Sequence, residues 1–306
     1  MKILTPLLGG VELGGTKCVC LLGTGPDDIR EQIAIPTGGD ANETLHQIET
    51  ILGNWVSLHG PIAALGIASF GPVNLDQASA RYGSITSTAK PGWRNTDVAR
   101  RLAKLFPVPV GFDTDVNGAA LAEGRWGAAR RLSDFAYVTV GTGVGVGLVI
   151  DGRPAYGFGH SELGHIRIAR KPGDLWQGAC AFHGDCVEGL ASGVAIAARA
   201  GLPANEVPQN SPVWDLVAHA LAQLLHTIVL ATAPRRILIG GGVIEGRPEI
   251  LECVRRQLVE SLNGYLSLAE LTGGIDGYAV PPGLGPLAGP LGALALAADC
   301  IVPRQP

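Results

Sequence analysis

No run of basic residues occurs in this 306-residue chain, and its formal net charge is −4. Nucleic-acid partners call for clustered Lys and Arg against phosphate, so that class is disfavoured. A secreted disulfide framework is also missing. Six cysteines in a chain this long make no such pattern. Cys18 and Cys20 alternate along an apparent strand, while Cys253 and Cys300 fall in apparent helices. This usage points to a reducing compartment. No small-residue cleavage pattern follows the brief apolar N-terminus, and no apolar run looks long enough to span a bilayer. The expectation is a soluble, cytoplasmic protein without a membrane partner. Charged residues make up 16% and hydrophobic residues 46%, which allows a substantial core. The length suits one large domain or two of ordinary size. Gly (44) and Pro (21) are plentiful, so tight turns are expected.

Residues Gly10–Leu22 read as two strands around Gly14-Gly15, followed by Thr16 and Lys17. Glycines let backbone amides approach a ligand closely, and a hydroxyl with a cation beside them suits phosphate. The spacing is not that of a Walker A loop, and a strand follows rather than a helix. A plain hairpin turn is the simpler reading of this stretch alone. A third strand is expected at Arg30–Thr37. Leu45, Ile48, Leu52 and Trp55 then recur at helical spacing, with Asp40 or Asn42 as cap. Ile62–Phe70 has strand length. The polar stretch 83–94 reads equally as a surface loop or as the wall of a pocket for a hydroxylated ligand. Asn95 or Thr96 is the expected cap of a helix carrying Val98, Leu102 and Leu105.

A short strand at Val108–Phe112 leads into Asp113-Thr-Asp-Val-Asn117 and a helix at Gly118–Ala128. A carboxylate beyond the carboxyl end of a strand points into the ligand crevice of an α/β sheet. Asp is also a favoured helix cap, so one aspartate could cap while the other faces substrate. Phe135–Asp151 repeats the opening unit: Val138-Thr-Val-Gly-Thr-Gly143 parallels Val11-Glu-Leu-Gly-Gly-Thr16. A third strand at Arg153–Gly159 would complete the copy. Two similar halves, each opening on a glycine turn, imply a nucleotide held in the cleft between them. Helices are expected at Val187–Ala200, Pro212–Ala233, Arg247–Asn263 and Leu291–Cys300. The strand Arg236–Gly240 runs into Gly240-Gly241-Gly242, where a flat adenine or ribose can lie against backbone.

His165, Cys180, His183 and Cys186 form a further group, the last three spaced C-x₂-H-x₂-C. Imidazoles and thiolates in fours favour a closed tetrahedral Zn²⁺ site, structural rather than catalytic. The plain alternative is a loop with two buried thiols and two surface histidines. Glu162 and Glu188 bracket the stretch.

Taken in order, Glu12-Leu-Gly-Gly-Thr-Lys17, Ser69-Phe-Gly-Pro72, Ile85–Trp93, Asp113–Asn117, Gly141-Thr-Gly-Val-Gly145, Glu162-Leu-Gly-His165, Cys180–Glu188 and Gly240-Gly-Gly242 resemble the ROK family of sugar kinases. Glu12, where most members carry Asp, and the His-containing Cys cluster resemble its fructokinase branch. The resemblance covers nearly the whole chain. It implies an α/β protein of the actin-like ATPase (ribonuclease H-like) fold. An N-terminal lobe, 1–116, would be completed by the C-terminal helix 290–306, and a second lobe, 117–289, would carry the zinc loop. It implies transfer of the ATP γ-phosphoryl to a hexose, first of all to O6 of D-fructose; glucose, mannose, an N-acetylhexosamine, or a non-catalytic sugar sensor are the alternatives. Asp115 would be the catalytic base. Asp113, Asn117, Glu162, His165 and Glu188, with Lys90 and Trp93, would bind sugar. Gly14, Gly15, Thr16, Lys17, Gly141, Thr142 and Gly143 would cradle phosphates, and Gly241 and Gly242 would face adenosine. Mg²⁺ would accompany ATP, the Zn²⁺ would be structural, and a homodimer is expected. The first strand begins too early for the DNA-reading module of ROK repressors.

Overall fold

Apolar strands and glycine crossings shape both sheets of the computed structural model, which describes residues 6–266 and 274–301. The first sheet has the order β3-β2-β1-β4-β5: β1 (Leu8–Leu13), β2 (Lys17–Gly25), β3 (Asp28–Pro36), β4 (Ala64–Ser69) and β5 (Val110–Thr114). β1 to β3 run antiparallel, whereas β4 and β5 lie parallel to β1. Helix α1 (Ala41–His59) starts at Asp40, whose carboxylate accepts from the Asn42 and Glu43 amides. Its Leu45, Ile48 and Leu52 are buried, as the 3.6-residue spacing requires. Helix α2 (Ala99–Leu105) has no side-chain cap, contrary to expectation. The Asn95 amide oxygen instead accepts from Arg81. The fifth strand runs two residues further than expected, so α3 (Asp115–Trp126) opens at Asp115 itself. Its cap is Thr114, not either aspartate.

The second sheet has the order β10-β9-β6-β7-β8: β6 (Phe135–Val140), β7 (Val144–Ile150), β8 (Arg153–Pro154), β9 (Ile237–Gly240) and β10 (Ala279–Val280). Read backwards, it matches the first sheet: an antiparallel β6/β7 hairpin, then β9 and β10 in parallel. The duplication visible in the two glycine turns therefore extends to topology. The expected third strand at 153–159 shrinks to two residues. The helix expected at 187–200 is interrupted at Ser192, giving α4 (Val187–Ala191) and α5 (Gly193–Ala200); the Ser192 hydroxyl accepts from the Ala195 amide and caps the second piece. Helices α6 (Val213–Thr232), α7 (Gly242–Gly246), α8 (Glu249–Leu262) and α9 (Ile275–Tyr278) complete this part. Helix α6 is, by length and composition, apolar enough to cross a membrane, which corrects the expectation of no such run. Its apolar residues are mostly buried, and it packs on α8 and α4 as a core helix.

The final helix, α10 (Ala288–Ile301), packs on α3, β4 and β1. A methyl on Gly66 would strike the Ala293 carbonyl, and one on Gly292 would strike the backbone at Gly118. Glycine at these crossings lets the helix lie against strand and helix backbone. The expected helix 290–306 is thus present over its described part, and residues 302–306 lie outside it. Two compact units result. Among the described residues, the first covers 6–130, 154–160 and 286–301, and the second covers 131–153, 161–266 and 274–285. The first unit extends beyond residue 116 because α3 packs against α10 and β4.

Candidate active site

Register fixes one edge of the first sheet. Leu13 pairs with Ser69, and Ser69 with Thr114, so β1, β4 and β5 end level. Beyond that edge lie the Gly14–Lys17 turn, Phe70-Gly71 and Asp115. This is where α/β sheets present ligands. The Gly14 amide donates to the Lys17 carbonyl at 3.0 Å. The Thr37 hydroxyl donates to the Gly14 carbonyl at 2.7 Å. A methyl on Gly14 would crowd Lys17, while one on Gly15 would meet nothing within 4 Å. Gly15, Thr16 and Lys17 are exposed, and a glycine turn with a hydroxyl and a cation beside it suits an anion.

Asp115 is half-buried in the first turn of α3. Its Oδ1 accepts from the Val116 amide at 2.9 Å. Asp113 is 1% exposed. Its Oδ1 accepts from the Thr114 amide at 2.7 Å and from Asn117 Nδ2 at 2.9 Å. Its Oδ2 accepts from the Tyr156 hydroxyl. Burial pushes the Asp113 carboxyl upward, and these bonds hold it down. Glu12, on β1, is pushed up to about 7, first by burial and then by the Asp115 charge; Lys17 opposes the rise. Its carboxylate occupies the space a side chain at Gly289 would need, beside the first turn of α10.

In the second unit, β6 and β9 end level, with Thr139 opposite Gly240. The Gly141–Gly143 turn and the Gly241-Gly242 start of α7 therefore lie side by side. Gly242 has open space where a side chain would be, and Thr142 is exposed. Gly241 has φ +92°, and a methyl there would collide with Val140 backbone, so its part is conformational. Glu188, in the first turn of α4, accepts from the Val144 amide at 3.2 Å. It fills the space beneath Gly143 and stands 4.0 Å from His165 Nε2. Glu162 is exposed just before the 3₁₀ turn Leu163–His165. A methyl on Gly164 would collide with the Val144 carbonyl, so this turn packs directly on β7.

The donor atoms of His165, Cys180, His183 and Cys186 lie within 4.8 Å of one another. The two Nδ1 atoms are 3.3 Å apart. His165 Nδ1 lies 3.6 Å from each sulfur, and His183 Nδ1 lies 3.7 Å from Cys180 Sγ. Tetrahedral Zn²⁺ with ordinary bond lengths requires N···N of about 3.3 Å and N···S of about 3.6 Å. The four residues fit such an ion. The loop carrying them has further ties: Arg170 pairs with Asp174 and Asp185, and Arg199 pairs with Asp174 while stacking on Trp176.

The sequence matches the ROK family over residues 8–300. The chain belongs to the ROK family. It is 41% identical over 305 residues to a fructokinase of Zymomonas mobilis, covering 97% of this chain and 98% of that one. It is 38% identical over 291 residues to a fructokinase of Pediococcus pentosaceus, covering 95% and 97%. Among solved structures, a ROK hexokinase from Thermus thermophilus superposes with a TM-score of 0.75 at 26% identity, covering 95% of this chain and 98% of that one. The ROK fold expected from the motifs is thus the observed one, an actin-like α/β architecture with two related sheets.

Three residues expected at the sugar site of this ROK chain are almost wholly buried. Trp93 is 0% exposed; its indole donates to the Gly38 carbonyl at 2.8 Å, and its ring packs edge-on against Phe70. The aromatic packs in the core of the first unit. Asp113 and Asn117 are bonded to each other at the start of α3. Lys90 remains half-exposed. The sequence reading missed Tyr156 and the acid–acid proximity of Glu12 and Asp115. Tyr156 lies in a stretch read as a strand, and nothing local in sequence marks a partner 43 residues away.

Proposed function

We propose that this ROK-family chain is an ATP-dependent fructokinase that converts D-fructose to D-fructose 6-phosphate. The observation that carries the mechanism is the half-buried carboxylate of Asp115, level with the exposed Gly14–Lys17 turn at one sheet edge. Phosphoryl transfer needs donors around the phosphates and a group to take the hydroxyl proton. Asp115 takes that proton from O6 of the sugar. The Gly14–Thr16 amides, the Thr16 and Thr142 hydroxyls, Lys17 and the Gly141–Gly143 turn hold the phosphates. The open backbone at Gly242 receives adenosine. Glu162, His165 and Glu188 accept and donate bonds to sugar hydroxyls, and Lys90 adds a cation at the rim. Mg²⁺ bound with ATP would neutralise phosphate charge. His165, Cys180, His183 and Cys186 would hold a structural Zn²⁺, which would clamp the loop that carries them. With Nδ1 turned to that group, His165 Nε2, 4.0 Å from Glu188, would be the nitrogen that meets the sugar. All six cysteines are unpaired, in keeping with a cytoplasmic enzyme. A homodimer follows from the family resemblance.

A coupled ADP-release assay over fructose, glucose, mannose and N-acetylhexosamines tests this reading. The highest kcat/KM is expected with fructose. A higher value with glucose would overturn the substrate assignment, and no turnover with any hexose would overturn the enzyme assignment.

A further inference from the structure

Asp115 stands inside a small box of hydrogen bonds. On one side, Asp113 accepts from the Thr114 amide at 2.7 Å and the Asn117 side chain at 2.9 Å. On the other, the Asn117 amide donates to the Thr114 hydroxyl at 3.1 Å. Three of these residues are almost wholly buried, and together they set the first turn of α3. The Tyr156 hydroxyl ties the box to a remote segment by donating to Asp113 Oδ2.

Residues 154–160 hold that hydroxyl in place. Tyr156 and His160 form an isolated β-bridge, and the Gly157 amide donates to the Gly159 carbonyl at 3.0 Å. His160 Nε2 accepts from the Val73 amide at 3.0 Å, just beyond the end of β4. The Tyr156 ring forms part of the wall of a cavity of about 460 Å³ with Tyr82, Phe112 and Phe158. Tyr156 is 54% exposed on that wall, while its hydroxyl bonds a carboxylate with almost no solvent access.

We propose that Tyr156 is a positioning residue for the phosphoryl acceptor step: its hydroxyl holds the buried Asp113 carboxylate, which in turn fixes Asn117 and the turn that carries Asp115. The inference rests on the reading of Asp115 as the base. The groups facing Asp113 are Tyr156 and His160 from this segment, Tyr82 from the loop before α2, and Asn117 and Thr114 from its own stretch. A hydroxyl donating to a carboxylate favours its ionised form, and removing the donor favours the protonated form. A proton on Asp113 Oδ2 removes the negative charge and leaves Oδ1 a weaker acceptor for Thr114 and Asn117. The box then loosens around Asp115.

Tyr156→Phe keeps the ring and the cavity wall and removes the hydroxyl alone. Carboxyl ¹³C NMR of Asp-labelled protein, with Asp113→Asn to assign the signal, reads the link without any substrate. The Asp113 titration is expected to move up by about one pH unit. An unchanged titration overturns the proposal, whatever the enzyme phosphorylates. In turnover, kcat with the preferred hexose should fall about tenfold, near the lower end of what a hydrogen bond to a charged group is worth. The acidic limb of its pH profile should move upward, while KM for MgATP should stay within about twofold. In the Asp113→Asn background the second change should have little further effect on kcat. An equal loss in that background overturns the route through Asp113. Should Asp113→Asn fail to fold, the acidic limbs of wild type and Tyr156→Phe decide, and coincident limbs count against the proposal. Wild-type protein that turns over no hexose counts against the kinase reading, and the NMR titration still decides the Tyr156 link.

Discussion

Replacing Glu12 by Gln should stabilise the folded chain, and only above mildly acidic pH. Glu12 lies on β1 near Asp115, and its carboxyl is raised from the ordinary 4.5 to about 7 by burial and by the Asp115 charge, with Lys17 opposing. Below the unfolded value both states hold the proton, so Glu12 carries no ionisation cost there. Between 4.5 and 7 the unfolded chain ionises while the folded chain stays protonated. Stability then falls by about 1.4 kcal/mol per pH unit. Above 7 both states are ionised and the full cost remains, up to about 3 kcal/mol. Gln cannot ionise and escapes it. Denaturant titrations of wild type and Glu12→Gln from about pH 4.5 to about pH 8.5 read the difference directly. The two free energies should diverge as pH rises and stop diverging above about 7. Asp115→Asn removes one of the two raising influences and should narrow the gap. A gap that is constant across the range would refute the reasoning, because a fixed offset comes from packing and not from ionisation.

Three further outcomes follow from the site. Asp115→Asn should lower kcat by about 10²–10⁴, the usual worth of a general base, with sugar affinity by calorimetry much less affected; a near-wild-type rate removes Asp115 from the mechanism. Purified protein should contain about one zinc per chain by elemental analysis, and Cys180→Ser should lose it and raise the sugar KM more than the ATP KM. Metal-free protein with full activity would remove the ion from the account, while a zinc-bearing protein whose sugar KM ignores Cys180→Ser would leave the ion purely structural. Trp93→Ala should cost about 3–5 kcal/mol of stability, as large core truncations do, while the folded fraction keeps its sugar KM; a selective rise in sugar KM would restore Trp93 to the sugar site.

Much of the fold was readable because its signals are local. Leu45, Ile48 and Leu52 mark one helix face, and Asp40 caps it. The two glycine turns announce the duplicated hairpins, which the sheet orders then match. The Cys/His group was readable from spacing because short spacers bring ligands together. What failed depended on long-range contact. Trp93 sits in a polar stretch that resembles a pocket wall, yet Phe70 and the Gly38 carbonyl claim it for the core. The caps of α2 and α3 depended on competition: Arg81 takes the Asn95 side chain, and Thr114 outcompetes two neighbouring aspartates. Asp113 was assigned to substrate on residue type, and neither its burial nor its bond from Tyr156 leaves a local mark in the sequence. The metal loop adds a similar lesson. Its ion pairs, Arg170 with Asp174 and Asp185 and Arg199 with Asp174, hold residues 166–179 alongside any ion. Loss of zinc should therefore disturb Glu188 and His165 more than it unravels the loop.

The central claim is that this chain moves the ATP γ-phosphoryl to O6 of fructose. The most direct measurement is NMR of the product formed from uniformly ¹³C-labelled D-fructose and MgATP. Carbon–phosphorus coupling is expected at C6 and should vanish with Asp115→Asn over the same incubation. Coupling at C1, or no phosphorylated sugar from an active preparation, would contradict the account.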